Sequence, residues 1–122
     1  MIKRFEDDFD GARTRFLSGF FADQSSEILK SILDNPARAD RNAAIGLLAS
    51  YNRFDWKSAL AAAGVPVRVI NAAEPYRTEI EVNRKYGDFD AVLMPDVGHF
   101  LMLEKPDEFN RHLRMMIDQL LR

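Results

Sequence analysis

Phe5, Phe9, Ala12, Phe16 and Phe20 recur at steps of three and four residues, which lays them along one face of a helix. Gly19 weakens the end of that segment. Ser25 or Ser26 can cap a second helix carrying Ile28, Leu29, Ile32 and Leu33, which Asn35-Pro36 closes. Pro36 also suits the first turn of a third helix, with Ala43, Ala44, Leu47, Leu48 and Tyr51 on its apolar positions. Asp55 is the expected N-cap of a short helix from Trp56 to Ala63, which Gly64 ends.

At Gly64-Val65-Pro66 the pattern changes. Val67-Arg68-Val69-Ile70 is short, β-branched and bounded by proline and a polar loop, so it reads as a strand. Thr78-Glu79-Ile80-Glu81 matches a capping box and opens a helix running to about Tyr86, with Gly87 as its stop. Phe89 to Met94 is the second strand and Pro106 to Leu121 the last helix, where Phe109, Leu113, Met116, Ile117, Leu120 and Leu121 form one apolar stripe. The expected organisation is α/β: a helical region over 1–63, then a β-α-β-α unit over 64–122 with two parallel strands joined by a right-handed crossover. Two strands alone leave two open edges of unpaired amides and carbonyls. Either further strands or a partner chain is needed to cover them.

Composition narrows the function classes. The 122 residues suffice for one ordinary domain, and 47% apolar with 30% charged content is that of a globular chain. A net charge of −2 gives no electrostatic case for nucleic acid or an anionic membrane. The acidic opening Met1-Ile2-Lys3-Arg4-Phe5-Glu6-Asp7-Asp8 lacks the apolar core of a secretory signal, and no apolar run reaches membrane-spanning length, so the expected location is cytoplasmic. With no cysteine there is no disulfide, thiolate metal site or cysteine nucleophile. No His, Asp or Glu cluster has metal-ligand spacing and no glycine-rich phosphate loop is present, so neither metal nor cofactor is expected.

The chemistry-bearing stretch is Val97-Gly98-His99-Phe100, between the strand Ala91-Val92-Leu93-Met94 with its turn Pro95-Asp96 and the helix-opening Leu103-Glu104-Lys105-Pro106. Open α/β sheets place their chemistry on loops past the carboxyl ends of strands, and imidazole moves protons near neutral pH. Taken together, three segments resemble the C-terminal part of an α/β-hydrolase. Gly64-Val65-Pro66-Val67-Arg68-Val69-Ile70 is similar to the entry to that family's penultimate core strand. Val92-Leu93-Met94-Pro95-Asp96-Val97-Gly98-His99-Phe100 is similar to its last strand and histidine loop. Leu103-Glu104-Lys105-Pro106-Asp107-Glu108-Phe109-Asn110 is similar to the opening of its final helix. The resemblance runs from about Gly64 to Leu121, and the preceding helices then correspond to a cap-like region.

The resemblance implies a partial α/β-hydrolase fold and, in the complete relative, ester or amide hydrolysis of a small molecule through an acyl-enzyme without cofactor. His99 would be the acid/base. Glu74, in the loop Asn71-Ala72-Ala73-Glu74-Pro75-Tyr76, would be the acid that orients it; a solvated loop carboxylate is an equal reading of the same residue. The family's nucleophile elbow G-x-S-x-G has no counterpart, because none of Ser18, Ser25, Ser26, Ser31, Ser50 and Ser58 has glycines two residues to either side. Asp96 is expected to shape the Pro95–Gly98 turn and Glu104 to serve the helix start. His112 is expected at the surface or its boundary.

Two functions follow as expectations. The first is the histidine-bearing part of a hydrolase, inactive alone, whose nucleophile comes from an N-terminal half. The second is a non-catalytic association module that pairs through its sheet edge with another copy of itself or with such a half.

Overall fold

The computed structural model describes residues 1–122 apart from 24, 35–39, 52 and 76. The described residues form a mixed helix and sheet chain whose contacts divide it into two compact units, Met1–Phe54 and Asp55–Arg122.

The first unit contains α1 (Ile2–Asp7), α2 (Phe9–Ser18), α3 (Glu27–Asp34) and α4 (Arg41–Tyr51). The single helix expected from Phe5 to Phe20 is broken at Asp8. Its backbone leaves the helical region (φ −145°, ψ 85°) and its carboxylate accepts the Gly11 amide at 3.0 Å, capping α2. The aromatic spacing survives the break: Phe5 meets Phe9 and Phe16 edge to face at 6.0 and 5.7 Å. At α3 the Ser26 hydroxyl accepts the Ile28 amide, as one of the two expected caps. At α4 the cap is Asp40, whose carboxylate accepts the Ala43 amide at 2.8 Å. The expected roles of Asn35 and Pro36 lie outside the described residues.

The second unit contains α5 (Trp56–Ala61), β1 (Val67–Ala72), α6 (Ile80–Arg84), β2 (Phe89–Met94), α7 (Leu101–Glu104) and α8 (Pro106–Leu120). Asp55 caps α5 as expected, accepting the Ser58 amide at 3.2 Å and the Ser58 hydroxyl at 2.6 Å. The helix ends at Ala61, short of Gly64, which takes the left-handed φ of 64° in the turn that follows. Trp56 packs edge to face on Tyr86, and Gly87 lies so close to Leu60 that a Cβ there would sit 3.0 Å from the Leu60 carbonyl. Those contacts place α5 with the strands rather than with the preceding helices.

The Ser58 hydroxyl, and then its amide, hold the Asp55 carboxyl below its ordinary pKa of 3.8. Such a group adds stability above its unfolded pKa, and the contribution is lost as pH falls through the lower, folded value. Wild type is therefore expected to lose stability relative to Asp55→Asn, which keeps the cap but cannot titrate, below about pH 4. Thermal melts of the pair across that range check this, and a constant gap between them would contradict it.

The strands pair in parallel, from Val67 beside Phe89 to Ala72 beside Met94. Pro66 and Gly87 bracket the pair, and both strands are rich in residues that suit a half-covered pleated surface. β1 runs two residues further than the sequence suggests, because the ladder continues to an Ala73 amide that donates to the Met94 carbonyl at 2.8 Å. The capping box at Thr78 does not form. The Thr78 hydroxyl accepts from Asn71 Nδ2 at 2.7 Å, and α6 starts from Glu79 with no side-chain cap. A residue of the adjoining strand thus outcompetes the local amide.

The core lies at the carboxyl end of the sheet. Met94 is fully buried, Val97 and Leu101 nearly so, and Ile70, Ala72 and Phe109 pack against them. The last helical stretch is interrupted at Lys105, after which Pro106 opens α8. Of its expected apolar stripe only Met116 is buried and Phe109 reaches the core, whereas Leu113, Ile117 and Leu120 stay 40%, 45% and 46% exposed.

Candidate functional site

Because β1 and β2 are parallel and in register to their ends, the loops that follow them leave the same end of the sheet. One loop carries Glu74 and the other His99. The loop after β2 turns through Asp96, whose φ of 55° is left-handed, a conformation asparagine and aspartate adopt more readily than other side chains. That is the turn role read from Pro95–Gly98. Val97 then inserts into the core at 4% exposure, and the buried Gly98 amide donates to Glu104 Oε1 at 3.0 Å. Lys105 Nζ donates to the Pro95 carbonyl at 3.1 Å, closing the loop from its other side.

Between these anchors His99 is exposed, its ring edge to face with Phe100 at 5.3 Å between centroids. An accessible imidazole on an anchored loop is an arrangement that can exchange protons with a bound group or with water. Glu74 is exposed as well and makes no hydrogen bond or ion pair with His99. The structure therefore brings the two candidate residues to one end of the sheet without pairing them. Glu104 is a structural acid, as its position suggests, and its Oε1 accepts the Gly98 amide. Asn71 and Thr78, which tie the end of β1 to the approach to α6, are a link that sequence reading missed; its only signal was a strand-end asparagine near a threonine.

His112 is half-buried on α8 with Nε2 3.8 Å from Glu108 Oε1, consistent with a boundary position. Several serine hydroxyls have local roles. Ser25 donates to Asp23, Ser50 to the Leu47 carbonyl and Ser58 to Asp55. Ser58 is the one serine of the second unit. A concave surface lined by Met1, Arg4, Phe5, Ala12, Arg15 and Phe16 belongs to the first unit and includes neither candidate site residue.

Among the described residues no group of three or more His, Asp or Glu side chains could hold a metal ion. No helix among them is long and apolar enough to cross a membrane. Comparison with protein-family models, curated proteins and solved structures returned no match.

Proposed function

We propose that this chain is the histidine-bearing, C-terminal part of an α/β-hydrolase-type core, able to serve ester or amide hydrolysis only when a nucleophile is supplied from outside it. The supporting observation is the loop after β2, which anchors Val97 and Gly98 and leaves His99 accessible at the carboxyl end of a parallel pair. In this reading His99 takes the proton of an incoming hydroxyl and returns it to the leaving group. Glu74, on the neighbouring loop, would orient the imidazole once the site is complete.

A serine hydrolase that lacks its nucleophile loses on the order of a millionfold in rate. The purified chain is therefore expected to turn over a p-nitrophenyl ester no faster than its His99→Ala variant, and a fluorophosphonate probe is expected to leave it unlabelled. Robust turnover abolished by His99→Ala, or labelling of one of its serines, would place a working nucleophile within the chain and overturn the proposal.

A further inference from the structure

The edges of the sheet differ. The Val67 amide donates to the Asp88 carbonyl and the Ala73 amide to the Met94 carbonyl, so odd-numbered β1 residues turn their backbone groups toward β2. Arg68, Ile70 and Ala72 therefore turn theirs outward. On β2 the outward groups belong to Phe89, Ala91 and Leu93, and this edge is blunted at its start. Arg84 Nε donates to the Phe89 carbonyl at 3.3 Å, and the Asp90 carboxylate accepts the Ala91 amide at 2.9 Å. Among the described residues nothing takes up the outward groups of Arg68, Ile70 and Ala72. An open row of this kind is a template for another strand.

Helix α8 points to the same edge. Phe109 seats it on the face of Ile70, Ala72 and Met94, while the crossover leaves β1 on the opposite face, where Asn71 reaches Thr78. With a right-handed crossover, and with α8 returning antiparallel to the strands, the sense of the helix turns Leu113, Ile117 and Leu120 toward the outer side of β1. An apolar flank thus overhangs the open edge of β1.

We infer that the occupant is a second copy of this chain, paired antiparallel through β1 about a twofold axis at Ile70. This goes beyond the hydrolytic reading and does not depend on it. The outward groups are self-complementary about that axis. Ile70 faces Ile70 of the partner subunit, and Arg68 faces Ala72 of the partner subunit, each pair exchanging both backbone bonds. No like charges stand opposite one another, and the Arg68 guanidinium is already held at 2.8 Å by Asp88 of its own chain. The axis is perpendicular to the sheet, so both copies of α8 lie on one face with their exposed flanks meeting. Paired strands are about 4.8 Å apart and packed helices about 8–10 Å, so each helix must sit inward of β1, over the strand pair. Phe109 packs against the cluster of Met94, Val97 and Leu101, on the face that Ile70 and Ala72 share.

Light scattering after size exclusion is expected to give twice the chain mass of 14.0 kDa, and hydrogen exchange is expected to show the amides of Arg68, Ile70 and Ala72 protected. Arg68→Pro removes an outward amide without touching the β1–β2 ladder. Ile117→Glu places a charge at the helix contact. Each is expected to give the single-chain mass with unchanged Trp56 fluorescence, and in Ile117→Glu the amides of Ile70 and Ala72 exchange freely. Should Arg68→Pro fail to fold, Ile117→Glu alone decides. A wild-type monomer at all concentrations overturns the proposal. So does a dimer that Ile117→Glu leaves intact, or one in which these amides exchange freely. None of these outcomes depends on ester hydrolysis.

Discussion

Met94→Ala is expected to destabilise the second unit by about 2–5 kcal/mol, the range for truncating a fully buried large side chain. Met94 ends β2 with 0% exposure, the one fully buried large side chain among the described residues. It is surrounded by Val97 and Leu101, with Ile70, Ala72 and Phe109 packed against the same cluster. These neighbours come from the other strand, the histidine loop and the last two helices. A cavity there cannot be filled by the movement of one element without breaking the register of another. Met94→Leu, which nearly conserves volume, is expected to cost less than about 1.5 kcal/mol. Denaturant titration followed by Trp56 reads the result, because the sole tryptophan lies in this unit and stacks edge to face on Tyr86. A loss below about 1 kcal/mol for Met94→Ala would mean that the unit does not depend on this cluster.

The same cluster shows how much could be read in advance. Both strands were legible because their signals are local: β-branched or apolar runs bracketed by Pro66, Gly87 and Pro95. The Asp55 cap and the Asp96 turn were legible for the same reason, since a short acid bonds amides within its own turn. The break at Asp8 was hidden because the aromatic spacing from Phe5 to Phe16 continues across it, although an aspartate three residues before Gly11 was its trace. The capping box at Thr78 failed for a reason outside any local window, since its hydroxyl is claimed by Asn71 on the strand. On α8 the periodicity marked an apolar stripe but could not say how much of it is covered, because burial depends on what lies opposite. The candidate site divides in the same way. The histidine loop is a local construction and was visible, whereas the relation of Glu74 to His99 depends on how two loops approach each other, which spacing does not encode.

Glu104→Ala is expected to lower the stability of the second unit by about 1–3 kcal/mol, the cost of leaving a buried amide without its acceptor. Glu104 Oε1 takes the Gly98 amide at 3.0 Å, six residues back along the chain, and so closes the loop that presents His99. The bond has a charged acceptor, and Gly98 is buried, so water is poorly placed to replace it. Glu104→Gln keeps an acceptor oxygen and loses the charge, so its effect is expected to be the smaller of the two. Denaturant titration gives the order, and hydrogen exchange at Gly98 separates the clamp from a general loss of packing. In Glu104→Ala that amide is expected to exchange faster than the ladder amides of Val92 and Met94. Equal protection in wild type and variant would show that the clamp does not hold the loop. His99 itself is exposed, and the loop that carries it is anchored by Val97 and Gly98 on one side and Lys105 on the other. Releasing Glu104 thus loosens the loop that carries the imidazole without altering the ring, and position is what a proton shuttle at the end of this sheet requires first.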